Sequence, residues 1–240
     1  MPNITPDIEA TSATIAGRIR ALTDHTAPTL HALRRKLSRE LADRDGRHVV
    51  RIALRLAHFD ESAHRFIGYA LVFHHPNASQ SLGPRSVEQL ARGFDHWVDV
   101  DTFAGHTSGP TRRIGRITDE HIHRWAQSND RWWRRTALVS TVALNRKSFG
   151  GTGDVPRTLE VCQLFVDDPD DMVVKALSWA LRELVQHDPK SVRQFLAEHQ
   201  EVLAARVVRE VKNKLSTGLK NPHRTKATKT AGRSKQASKR

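Results

Sequence analysis

Residues 170–196 read DDMVVKALSWALRELVQHDPKSVRQFL, a stretch with the pattern of two consecutive helices. Its first half carries apolar side chains at helical spacing, and these form one stripe that can pack against a neighbouring helix: Val173, Ala176, Leu177, Ala180, Leu181 and Leu184. Pro189 favours the first turn of a new helix, where the missing N–H costs no hydrogen bond. We therefore expect one helix from Pro169 to Gln186 and a second from Pro189 to Glu198.

The same pattern recurs along the chain, whereas alternating strand-like runs are scarce. Further helices are expected at 7–22, from Pro28, at 49–56, 62–73, 86–91 and 95–103, from Thr118, at 131–145 behind an Asp130 cap, and at 156–165 and 202–215. Residues 105–115 have the composition of a basic, glycine-bearing loop. Helix pairs repeat at intervals of roughly 35 to 45 residues, which predicts an all-α, HEAT-like superhelical array (an α-solenoid) over residues 1–219. An irregular helical bundle is the alternative.

Charge is concentrated at the carboxyl end. The chain has 39 Lys and Arg against 26 Asp and Glu, for a formal net charge of +13. Eight of the basic residues, and no acid, lie between Lys220 and Arg240, so the remaining 31 basic residues exceed the acids by 5. The excess favours a polyanionic partner. Residues 220–240 lack apolar periodicity and are expected to be a disordered basic tail, either a solubilising extension or a non-specific DNA tether.

Several classes of site and location are disfavoured. Cys162 is the only cysteine, which excludes an intrachain disulfide and a zinc site built from several thiolates. The His121-x-His123 and His74-His75 pairs have no Cys or carboxylate at a recognised metal-ligand spacing, so neither a metal nor an organic cofactor is expected. No segment approaches the roughly 18 uninterrupted apolar residues of a membrane span. We expect a cytoplasmic protein with no membrane partner.

Trp97 and Asp101 are four residues apart in HWVDVDTF at 96–103, so a helix places the indole and the carboxylate on one face. A phosphate-binding surface has no use for an acid, which makes Asp101 a candidate catalytic group. The alternative interpretation is a core tryptophan beside an aspartate that caps or pairs locally.

Basic residues beside the other tryptophans are candidate DNA contacts. Lys175, Trp179 and Arg182 share a helix face away from the apolar stripe, and could form a platform for a sugar or base, or pack against the next helix pair. In RWWRR, one of Arg134 and Arg135 is expected to be structural and the other free to bind a phosphate. The predicted loop adds two more phosphate candidates, or a solvated basic loop, at Arg112 and Arg113.

Three segments together resemble the DNA alkylation repair family of HEAT-like, AlkD-like DNA glycosylases: HWVDVDTF at 96–103, WAQSNDRWWRRTALVS at 125–140, and 170–196. The resemblance implies an α-solenoid with a concave basic groove for duplex DNA. It implies excision of cationic N3- and N7-alkylpurines, with Asp101, Trp97 and Trp179 in the catalytic positions and Arg135, or else Arg134, as the accompanying arginine. The family often has Asp directly after the first Trp, where this chain has Val98, but Asp101 keeps the four-residue spacing.

The resemblance implies a monofunctional DNA glycosylase that hydrolyses the N-glycosidic bond, acts as a monomer on alkylated duplex DNA and associates with the nucleoid. Two alternatives stay open: a non-catalytic HEAT-like scaffold that binds distorted or branched DNA, and a HEAT-type protein-interaction module. If the glycosylase interpretation is correct, Trp97, Asp101 and Trp179 should converge in one cleft together with Arg135 or Arg134.

Overall fold

A computed structural model of the chain describes residues 6–59 and 61–222. Over these residues the secondary structure is helical, with no β-strand, which confirms the predicted all-α class. The helices are α1 (Pro6–Arg20), α2 (Ala27–Glu40), α3 (Gly46–Leu56), α4 (Ser62–His74), α5 (Pro84–Leu90), α6 (Trp97–Phe103), α7 (Gly109–Arg113), α8 (Asp119–Ala126), α9 (Arg131–Asn145), α10 (Val155–Gln163), α11 (Asp171–Leu184), α12 (Pro189–Glu198) and α13 (Ala205–Thr217).

Local sequence accounts for many of the helix starts. Carboxylates accept a backbone N–H in the first turn of α3, α9, α10, α11 and α12, and the residues that supply them are Asp45, Asp130, Asp154, Asp170 and Asp188. Such a cap satisfies one of the free donors at a helix start and contributes about 1 kcal/mol. The predicted cap at Asp130 is confirmed, and α12 has the predicted bounds.

Packing of the apolar stripes arranges the helices in a row. Helix α4 packs against α6, α6 against α9, α9 against α11 and α11 against α13. The predicted stripe of α11 is fully buried in this row. Helix-on-helix stacking in chain order fits the predicted α-solenoid, and the residues of the candidate site come from this row.

The prediction of a loop at residues 105–115 is wrong. A π-helical turn, Ala104–Ser108, leads into α7, and the segment is buried against α9. Glycine here permits close approach between helices, since a Cβ on Gly109 would lie 2.3 Å from the Cβ of Ala143. Pro110 occupies the first turn of α7, where proline is tolerated. Both residues therefore serve a helix, although their composition is typical of a loop.

The basic tail lies almost wholly outside the described residues, which include only Lys220, Asn221 and Pro222 of it. Among the helices of the described ranges, none combines the length and the apolar character needed to cross a membrane.

Candidate active site

Helix α6 presents both Trp97 and Asp101. The helix begins at Trp97, two residues later than predicted, because the His96 ring nitrogen Nδ1 accepts the N–H of Val98 at 3.3 Å. Asp99, on the opposite side of the helix start, is buried and lies 3.5 Å from the guanidinium of Arg65 on α4. The other face of α6 carries the predicted i, i+4 pair: Trp97 is 45% exposed, and the Asp101 side chain is 16% exposed.

The Asp101 carboxylate forms a bidentate ion pair with Arg135 of α9. Nε of Arg135 donates to Oδ1 at 2.9 Å and Nη2 donates to Oδ2 at 2.9 Å. Nη1 of Arg135 donates to the backbone carbonyl of Met172 at the start of α11. Arg135 thus joins three successive helices of the row and fixes the orientation of the carboxylate.

Burial and the ion pair act in opposite directions on the pKa of Asp101. Burial raises the pKa of the Asp101 carboxyl, and the hydrogen bonds and charge of Arg135 lower it; burial is the larger influence, so the pKa lies above the ordinary value. Side-chain exposures are 16% for Asp101 and 6% for Arg135, which leaves the carboxylate accessible at one edge. An ionised carboxylate has about four acceptor positions, so Asp101 keeps capacity for water or substrate beyond its two bonds to Arg135.

Helix α11 supplies the facing wall. Trp179 is half-buried, and its indole N–H donates to Oε1 of Glu183 at 3.0 Å, one turn further along the helix. Lys175 pairs with Asp171 at 2.7 Å on the same face. Arg182 lies 3.9 Å from the buried carboxylate of Glu210 on α13. Lys175, Trp179 and Arg182 line the same cleft, as their shared helix face predicted, and the indole itself is held by Glu183.

These side chains line one open cleft of about 360 Å³. The lining includes six of the residues predicted as site residues: Trp97, Asp101, Arg135, Lys175, Trp179 and Arg182. It also includes Met172 and Lys220, which the sequence reasoning missed. Met172 had no polar signal, and Lys220 was assigned to the tail. No local pattern connects Lys220 to helices that precede it by more than 35 residues.

The remaining predicted DNA contacts lie elsewhere. Arg134 is not free to bind a phosphate, since its Nε donates to Oδ2 of Asp168 at 2.8 Å and its Nη1 to the Ser128 and Asn129 carbonyls. The expectation that one of Arg134 and Arg135 is free to bind a phosphate is not met, because Arg135 pairs with Asp101.

The prediction of Arg112 as a phosphate contact conflicts with its position. The residue is 1% exposed, and its Nε donates to Oδ1 of Asp119 at 2.7 Å. A buried guanidinium cannot reach a phosphate without leaving the core. Arg113 is exposed at the end of α7 but does not line the cleft. Both assignments depended on the predicted loop, which is helical.

Comparison with protein families agrees with this arrangement. A family model described as DNA alkylation repair enzyme matches residues 23–215. The chain belongs to this DNA alkylation repair family. The match spans helices α2 to α12 and most of α13, and so includes every helix that lines the cleft. Comparison with curated proteins and with solved structures returned no significant match.

The DNA alkylation repair family implies DNA as the substrate of this chain, and it implies an enzyme of DNA repair. Within the described ranges, no three His, Cys, Asp or Glu side chains are grouped so that they could ligate a metal ion.

Proposed function

We propose that this repair enzyme is a monofunctional DNA glycosylase that excises cationic N3- and N7-alkylpurines from duplex DNA. The observation that carries the proposal is the single cleft in which Asp101, paired with Arg135, lies with Trp97 and Trp179. The cations of the cleft suit the phosphates of a nucleotide, and the carboxylate and the indoles suit the positive charge that develops on its sugar.

Cleavage of the N-glycosidic bond of an alkylated purine requires electrostatic stabilisation more than a strong acid. An alkylated purine already carries a positive charge, so it leaves as a neutral base when the electron pair of the C1′–N bond moves to the ring. Positive charge then develops on the deoxyribose, where the Asp101 carboxylate stabilises it. Water adds to C1′, and its proton passes to Asp101 or to solvent.

Arg135 holds the carboxylate in place for this role. Its two hydrogen bonds fix both oxygens, and its charge opposes the effect of burial on the pKa of Asp101. A fixed carboxylate pays little reorganisation cost as charge develops. Arg135 is then a positioning residue for Asp101, and the phosphate contacts fall to Lys175 and Arg182.

The tryptophans line the cleft from two sides. An indole face attracts a cationic base or sugar by about 0.5 to 2 kcal/mol, which is smaller than the roughly 3 to 4 kcal/mol expected of the carboxylate by analogy with other electrostatic contacts. The half-exposed Trp97 can meet the nucleotide directly, while Trp179 is held by Glu183. An open cleft of about 360 Å³ suits contacts to the sugar and phosphates of the lesion without a deep base pocket.

The proposal is tested by release of the modified base. Duplex DNA with N7-methylguanine is incubated with the protein, and free N7-methylguanine is measured under single-turnover conditions; unmodified duplex is the control. We expect release from the methylated duplex alone. Binding with a strong salt dependence but no release would instead favour the non-catalytic scaffold for distorted or branched DNA. The proposal includes action by a monomer in the cytoplasm, in association with the nucleoid.

A further inference from the structure

Lys220 reaches the cleft because the chain reverses after α13. Gly218 ends that helix in the left-handed region, at φ 74°, which residues with a Cβ rarely adopt. Lys214 Nζ donates to the Gly218 carbonyl at 2.8 Å, and Asn213 Nδ2 donates to the Lys220 carbonyl at 3.0 Å. The turn is thus held by side chains of α13, and it brings Lys220 into the lining of the cleft.

The buried carboxylate of Glu210 sets the position of the Lys220 ammonium group. Lys220 Nζ lies 3.4 Å from Oε1 of Glu210, and Arg182 Nε lies 3.9 Å from Oε2. The Ser178 hydroxyl also donates to Oε2, at 2.6 Å. The Glu210 side chain is only 4% exposed, whereas that of Lys220 is 43% exposed. Glu210 therefore anchors a cation that solvent, or a ligand, can reach.

The two cations on Glu210 differ in how far a ligand can reach them. Arg182 is only 17% exposed and interacts with the carboxylates of both Glu210 and Glu183. Lys220 is 43% exposed and is therefore the more accessible of the two where α11 meets the turn after α13. A DNA phosphate is the anion that a cleft for a nucleotide must hold beside the sugar. Lysine binds phosphate as a point charge and tolerates small differences in approach.

We propose that Lys220 binds a backbone phosphate adjacent to the lesion nucleotide, with Glu210 as its positioning residue. The inference rests on the proposed function for the identity of the lesion, but not for the contact itself. Lys220, which the composition of the sequence assigned to the basic tail, is thereby assigned to the substrate-binding surface.

The contact is tested by binding, which separates it from the chemistry. The probe is a duplex with a tetrahydrofuran abasic analogue, which has no base to release. Affinity of the full chain is measured as a function of salt for the wild type, Lys220→Ala and the control Lys190→Ala, an exposed lysine of α12 that does not line the cleft. Loss of one phosphate contact should reduce the magnitude of the log K against log salt slope by about 0.9 for Lys220→Ala. The control should keep the wild-type slope.

The position of the phosphate is tested with neutral methylphosphonates on either side of the analogue. If Lys220 binds one of these phosphates, Lys220→Ala weakens binding to the normal duplex but not to the duplex neutralised at that position. An unchanged salt slope, or an equal loss of affinity with every probe, overturns the proposal. If the protein releases no base but Lys220→Ala still shows this dependence on the probe, the glycosylase is refuted and the phosphate contact stands. If the protein releases base but Lys220→Ala shows no such dependence, only the phosphate contact is refuted.

Glu210→Gln tests the positioning role, since the amide keeps an oxygen for Ser178 and removes the charge that attracts Lys220. We expect the affinity difference between the phosphodiester and methylphosphonate probes to shrink when binding is measured well below the melting temperature of the variant, where the protein is folded. An unchanged difference removes Glu210 from the proposal. A role in stability alone would change the melting temperature without changing this difference.

Discussion

Asp101→Asn is the substitution that most directly tests the chemistry of the cleft. The asparagine has nearly the same shape, and its oxygen can still accept one hydrogen bond from Arg135. The negative charge is lost, however, so the neutral ion pair becomes an unpaired guanidinium beside the sugar. Positive charge that develops on the deoxyribose then meets another cation. We expect base release to slow by about 10² to 10³-fold, or roughly 3 to 4 kcal/mol.

The same substitution weakens the fold, and this effect must be separated from the chemistry. Arg135 loses one charge-assisted hydrogen bond, which contributes about 1.5 to 3 kcal/mol to the free energy of unfolding. Helix α9 offers a matched control in the neighbouring pair, where Arg134 donates to Asp168 at 2.8 Å with side-chain exposures of 20% and 10%. Asp168 does not line the cleft.

The assay compares Asp101→Asn with Asp168→Asn. Single-turnover release of N7-methylguanine gives the rate, and urea unfolding gives the stability of each variant. We expect comparable losses of stability, with a slow rate only for Asp101→Asn. Full activity in a folded Asp101→Asn protein would refute the proposed role of the carboxylate. Equal loss of rate in both variants would show that the effect comes from the fold.

Three further predictions concern the pH dependence, the indole and the buried arginine. Activity needs ionised Asp101, whose pKa is raised above the ordinary value of about 3.9. Activity should therefore fall as the pH drops through that raised pKa. Arg135→Gln removes an influence that lowers the pKa of Asp101, so it should move the acid limb of the pH–rate profile to higher pH. An acid limb that stays in place, in a folded variant, would contradict this coupling. Trp97→Ala should reduce kcat/KM by about 2- to 30-fold, which corresponds to 0.5 to 2 kcal/mol, with little change in melting temperature because the side chain is 45% exposed. Arg112→Met should leave the salt slope of DNA binding unchanged, because the guanidinium is buried and paired with Asp119. A smaller salt slope in this variant would restore Arg112 as a DNA contact.

Local features of the candidate site could be predicted from sequence. The face shared by Trp97 and Asp101, and the face of Lys175, Trp179 and Arg182, follow from helical geometry alone. The resemblance to the family added the expectation that the two faces meet. Their convergence depends on the packing of α6 against α9 and of α9 against α11, which no pattern within either segment specifies.

Misassigned residues share a physical cause. Glycine, proline and arginine in residues 105–115 have the composition of a solvated loop, but the small side chains allow close helix packing and the Arg112 guanidinium is buried with them. Lys220 has the composition of a disordered tail, but a turn held by α13 brings it to the cleft. In both cases long-range contacts outweigh the local preference.

The amino-acid sequence by itself determined most of the helices of this protein, the Asp130 cap and the residues that share each face, because these properties depend on contacts within about four residues. It also carried the family resemblance that led to Asp101. Only the tertiary structure decided that Arg135, 34 residues away, pairs with that carboxylate, and that Lys220 joins the same cleft. Such pairings depend on how whole helices stack, and the free energy of stacking is spread over many buried side chains.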